Sequence, residues 1–149
     1  MTRRVRAVRL VPVLVLAALA ALAGLACGTR KSPTEPDDTV PDPAATFSRV
    51  QTEVFTPSCA LSGCHAGPAP ASGMELTAGR AYGQTVGVAS VGSTRLRVAS
   101  GNVPGSYLVS KIRGDATITG DRMPLGGPYL SPAREQLVVD WIRRGAPND

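Results

Sequence analysis

The chain has 149 residues, 18% of them charged and 4% aromatic, with 16 glycines and 13 prolines. That length holds one modest domain with appendages and excludes a large multidomain enzyme. The formal charge is +5, from 16 basic and 11 acidic residues, an excess that raises nucleic acid or a membrane as a partner.

The position of the charge decides between them. Arg3, Arg4, Arg6 and Arg9 precede an uncharged apolar run over residues 10–26, and no acid occurs before Glu35. Without those four arginines the chain carries 12 basic against 11 acidic residues. A basic start, an Ala/Leu/Val stretch and small residues at its end form the three-part pattern of an export signal. Arg3-Arg4 raises the twin-arginine route, but Arg6 interrupts the apolar residues that should come after the pair, which favours general secretion. Ala23-Gly24-Leu25-Ala26-Cys27 resembles the end of a bacterial lipoprotein signal. The resemblance implies that residues 1–26 are removed and that Cys27 carries a lipid, anchoring the rest to the periplasmic side of a bacterial membrane or the cell surface. An ordinary cleaved signal and an uncleaved anchor stay open, the 17 apolar residues lying at the lower limit of about 17–25 for a spanning helix. All three readings export the remainder of the chain.

Residues 27–45 read as a disordered linker. They carry Pro33, Pro36, Pro41 and Pro43, four acidic and two basic residues, and almost nothing apolar, so they have no core of their own. At about 3 Å per residue such a segment holds a domain tens of ångströms from a membrane.

The domain proper spans residues 46–149, with 10 basic and 7 acidic residues, 14 glycines and 8 prolines. The patterns predict an all-α fold of short helices with long Gly/Pro-rich loops. Phe47, Val50 and Val54 fall at helical spacing after Thr46 as N-cap, with Pro57 closing the helix. A helical turn over 78–86 and an extended stretch over 95–98 are weaker. A second helix covers 104–113, with Asn102 as cap and Gly114 as stop. In the third, Ser131 caps, Pro132 takes the first position, Leu137, Val138, Trp141 and Ile142 form the apolar face, and Gly145 with Pro147 ends it. Such short helices bury little surface, so something else is expected to complete the core.

If Cys27 is lipidated, Cys59 and Cys64 remain, and the single histidine, His65, directly follows the second. In an exported domain these cysteines suit a local disulfide, with His65 a bystander. A zinc site of Cys59, Cys64 and His65 needs a fourth ligand, and residues 46–149 hold no further Cys or His. The third reading is that Cys59-Ala60-Leu61-Ser62-Gly63-Cys64-His65 looks like a haem c attachment site, where two thiols add across porphyrin vinyl groups and the adjacent imidazole ligates iron. The usual spacer has two residues and this one four. Longer spacers occur among bacterial c-type cytochromes, and Ser62 and Gly63 suit the required bulge.

The resemblance extends over residues 47–148. A helix precedes the motif, and Met123-Pro124, Leu130-Ser131, Trp141-Ile142 and Gly145-Ala146 follow in the order seen in small class I cytochrome c domains. It implies a cytochrome c-like fold in which the first and last helices pack, bringing Phe47, Val50 and Val54 to Leu137, Val138 and Trp141. It also implies one covalent haem c that completes the core, with thioethers to Cys59 and Cys64, His65 as proximal and Met123 as distal iron ligand. Met74 is then core filler, and the carbonyl of Pro68 or Pro70 receives the other ring nitrogen of His65. A single histidine excludes a bis-histidine haem within one chain.

The implied function is one-electron transfer with a redox partner protein, not catalysis, because six-coordinate iron has no open position. With Met123 unbound, a five-coordinate haem would bind gases or turn over peroxide. The alternative from another class is a haem-free, disulfide-closed structural lipoprotein domain. Arg95, Arg97, Arg143 and Arg144 read as a solvated face, with docking of an acidic partner as the second reading. Export and a small domain charge argue against nucleic acid.

Overall fold

The computed structural model describes residues 40–149. The export segment 1–26, Cys27 and residues 28–39 of the linker lie outside the described residues. The regular structure is helical: α1 (Phe47–Val50), a π-helical segment (Gln51–Phe55), α2 (Thr56–Ser58), a 3₁₀ turn (Ala71–Gly73), α3 (Ala81–Thr85), α4 (Tyr107–Arg113) and α5 (Pro132–Arg143). Among the described residues β-structure is confined to isolated bridges, such as Val86 with Val98 and Ala89 with Leu96. No helix among them is long and apolar enough to cross a membrane.

Thr46 caps α1 as its sequence predicts, its hydroxyl accepting the Arg49 N–H at 3.2 Å. Pro57 does not close the helix, which runs on to Ser58. Proline has no N–H to donate and its ring crowds the carbonyl four residues back, here that of Glu53. The chain meets this obstacle by widening just before it, with the Thr56 N–H reaching the Gln51 carbonyl. Through the widened turn Phe47, Val50, Gln51, Val54 and Phe55 all face inward.

The helix expected from residue 104 begins at Tyr107. Asn102 does not cap it; its Oδ1 accepts the Gly105 N–H at 2.9 Å and closes a Pro-Gly turn. Ser106 takes the cap position, and Gly114, at φ 75°, ends the helix in the left-handed conformation. In α5 the local signals hold at both ends. Ser131 accepts the Arg134 N–H at 3.4 Å, and Gly145 turns the chain away at φ 96°.

α1 packs on α5. The Phe47 ring lies 5.4 Å from Trp141 and 5.2 Å, edge-on, from Tyr82. Trp141 is fully buried and its Nε1 donates to the Pro147 carbonyl at 2.8 Å. Ala45, at the end of the predicted linker, is fully buried as well, and its carbonyl accepts from Arg144 at 2.6 Å. Arg144 also pairs with Asp149 at 3.1 Å, and Arg143 with Asp140 at 3.3 Å. Both arginines therefore brace the end of α5.

Candidate functional site

The Cys/His segment starts where the first helical stretch ends. The N–H groups of Cys59 and Ala60 both reach the Phe55 carbonyl, at 2.9 and 2.7 Å. Cys64 N–H donates to Leu61 at 3.0 Å, and His65 N–H returns to the Cys59 carbonyl at 3.2 Å. The spacer is thus a closed loop. Gly63 sits at φ 79°, a conformation that favours glycine, and Leu61, Ser62 and Gly63 are exposed.

Beyond His65 the chain makes an excursion through the Ala71–Gly73 turn and comes back, with Leu76 N–H on the His65 carbonyl at 2.8 Å. This return brings the Met74 carbonyl to the imidazole, 3.1 Å from Nδ1. The acceptor is therefore Met74 and not Pro68 or Pro70. A carbonyl only accepts, so Nδ1 is the donor of this bond and Nε2 is the ring nitrogen that remains for another partner.

Met123 lies in the loop after α4. Its N–H donates to the Lys111 carbonyl at 2.8 Å, one of the carbonyls that the end of a helix leaves unpaired. Cys59, Cys64, His65 and Met123 all line one cleft of about 350 Å³, within the roughly 300–1,000 Å³ of cofactor sites. Leu76, Tyr107, Leu108 and Ile112 supply apolar wall, and Met74 also borders it.

Arg97 and Lys111 border the same cleft. Arg97 donates to the carbonyls of Gln84 and Ser72 at 2.8 and 3.0 Å, and burial lowers its pKa from the ordinary arginine value. Lys111 Nζ donates to the carbonyls of Thr119 and Asp121 at 3.0 and 2.5 Å. Neither cation enters an ion pair with a carboxylate among the described residues. Arg97 is thus a cleft residue, not part of the solvated face that its neighbours suggested. Helical spacing with Leu108 and Ile112 offered a weak signal for Lys111; nothing local marked Arg97.

Both cysteines are free thiols, Cys59 partly buried and Cys64 exposed. Loss of solvent, with a smaller contribution from nearby Cys64, pushes the Cys59 thiol up to about 11. It therefore stays protonated at neutral pH. No group of three or more His, Cys, Asp or Glu among the described residues is placed to hold a metal ion. The cleft is instead lined by one histidine, two cysteines, two methionines and apolar side chains. No protein-family model, curated protein or solved structure matches the chain.

Proposed function

We propose that the protein is an exported monohaem c-type cytochrome that carries single electrons between redox proteins. The observation that carries this reading is the convergence of Cys59, Cys64, His65 and Met123 on one cleft, although 58 positions separate His65 from Met123. When bound, the haem supplies an iron centre that accepts one electron and gives it back.

The remaining work falls to the chain. Each thiol adds its sulfur to one carbon of a vinyl double bond and its hydrogen to the other, so attachment balances without an oxidant. That addition requires reduced cysteines. His65 presents Nε2 as the proximal ligand, and the Met74 carbonyl fixes the ring from behind. Met74 would thus serve through its main chain, and Met123, in the loop after α4 that borders the same cleft, would be the second residue to hold the iron. A thioether is soft and neutral, favours ferrous iron and raises the potential relative to a second imidazole. Arg97 and Lys111 are the cations available to the two acidic side chains of the porphyrin.

With His65 and Met123 both holding the iron, the site would move electrons rather than bind substrate. In the same reading residues 1–26 are the export signal, Cys27 bears the lipid and residues 27–45 form the spacer from the membrane. The test is a potentiometric titration of the haem-loaded protein. It should follow a single one-electron couple, with the ferric near-infrared sulfur-to-iron band present. A five-coordinate iron that turns over peroxide would replace the carrier with a peroxidase.

A further inference from the structure

The loop that bears Met123 contains no helix or strand between α4 and α5, yet a distal ligand must be held in place against competing water. Thr119 is tied to Tyr107, Gly92 and Lys111, and next to Met123 a single side chain adds three further contacts. Arg122 Nε donates to the Ile112 carbonyl, in the last turn of α4, at 2.7 Å. Its Nη2 reaches Glu135 Oε1, in the first turn of α5, at 2.8 Å. The guanidinium also lies 4.2 Å from the centre of the Tyr129 ring, farther along the same loop.

The stem of Arg122 is seated too. It runs over Gly114, where an added Cβ would stand 2.7 Å from its Cδ. The pair with Glu135 is more sheltered than the Arg49–Glu53 pair, at 31% and 18% side-chain exposure against 41% and 43%. Charged hydrogen bonds in such partly shielded places are stronger than exposed ones.

Arg122 and Met123 dock as a unit. The side chain of the first takes the Ile112 carbonyl, and the backbone N–H of the second takes the Lys111 carbonyl. Two neighbouring residues thus sit on two neighbouring carbonyls, a register that turns one toward α5 while the other borders the cleft.

We infer that Arg122, clamped by Glu135, is the positioning residue that holds Met123 in the distal place. This rests on the cytochrome reading. Removing the clamp leaves α4 with Gly114 and α5 with Ser131 at their ends, so the helices persist while the loop loses three of its ties.

The experiment uses haem-loaded full-length protein carrying Arg122→Gln, Arg122→Lys or Glu135→Gln, with exposed Arg113→Gln as control. The readings are the ferric sulfur-to-iron band, the reduction potential and the rate of imidazole binding to iron. Arg122→Gln is expected to weaken the band, lower the potential and speed imidazole binding at least about tenfold, the scale of losing one charged hydrogen bond. Covalent haem and helix content stay as in the wild type. Glu135→Gln gives a smaller change in the same direction, and Arg122→Lys recovers part of the loss, lacking the planar fork that serves both partners. If Arg122→Gln does not fold, Glu135→Gln decides by the same readings. Wild-type band, potential and imidazole rate in the folded variants overturn the inference alone. A wild-type protein without covalent haem overturns the function reading and this inference with it.

Discussion

The Nδ1 atom of His65 lies 3.1 Å from the carbonyl oxygen of Met74, so a backbone atom nine positions away sets the tautomer and orientation of the chain's single histidine. The bond makes Met74 a support for the imidazole through its main chain.

Met74→Leu keeps that carbonyl and a similar volume. The haem-loaded variant is therefore expected to retain the wild-type sulfur-to-iron band, whereas Met123→Ala abolishes it. Loss of the band in Met74→Leu, with retention in Met123→Ala, would exchange the two methionines.

The two thiols are expected to differ in a chain prepared without haem. A rise to about 11 leaves Cys59 with about one hundredth of the thiolate of an ordinary cysteine at pH 8. Alkylation followed by peptide mass analysis should find Cys64 modified first. Cys59 should gain rate about tenfold per pH unit as the pH rises toward its thiol pKa.

The same thiol ties stability to pH. Its folded pKa exceeds the unfolded value, so the fold holds the proton more tightly. Its contribution is complete below about pH 8.5 and is lost as pH rises toward about 11, on the order of 3 kcal/mol in all. Denaturant unfolding of the haem-free chain at pH 8 and pH 10.5 checks it. Cys59→Ala should lack this part of the slope.

The packing of α1 on α5 converges on Trp141, which is fully buried against Phe47 and bonded to the Pro147 carbonyl at 2.8 Å. Trp141→Ala is expected to cost about 3–5 kcal/mol by urea unfolding, a large share of the roughly 5–15 kcal/mol typical of a whole domain. Trp141→Phe, which keeps a ring and loses the bond, should cost less. An unchanged midpoint in Trp141→Ala would contradict this packing of α1 on α5.

What the sequence discloses here is local. Thr46, Ser131, Pro132, Gly114 and Gly145 announce helix ends because caps and stops act within a few residues. Pro57 misleads for a physical reason: its obstacle is absorbed by a wider turn upstream, which spacing rules for an α-helix do not contain. Asn102 misleads because the side chain that can cap a helix can equally close a Pro-Gly turn. Adjacency marks Cys64 and His65, and a Pro-rich loop marks Met123. The Met74 carbonyl, Arg97 and the Arg122 clamp leave no such mark, since their partners are backbone carbonyls or side chains brought together only by the fold. Pro68 and Pro70 lie nearer His65 along the chain, but the acceptor is the Met74 carbonyl, beyond the Ala71–Gly73 turn.

The most direct measurement is haem staining after denaturing electrophoresis, joined to the intact mass, for protein expressed with haem-attachment machinery. A monohaem cytochrome predicts a stained band whose mass includes one haem, with the stain lost when Cys59 and Cys64 are both replaced by Ala. A colourless, stably folded protein with a Cys59–Cys64 disulfide would contradict it and return the chain to a structural lipoprotein domain.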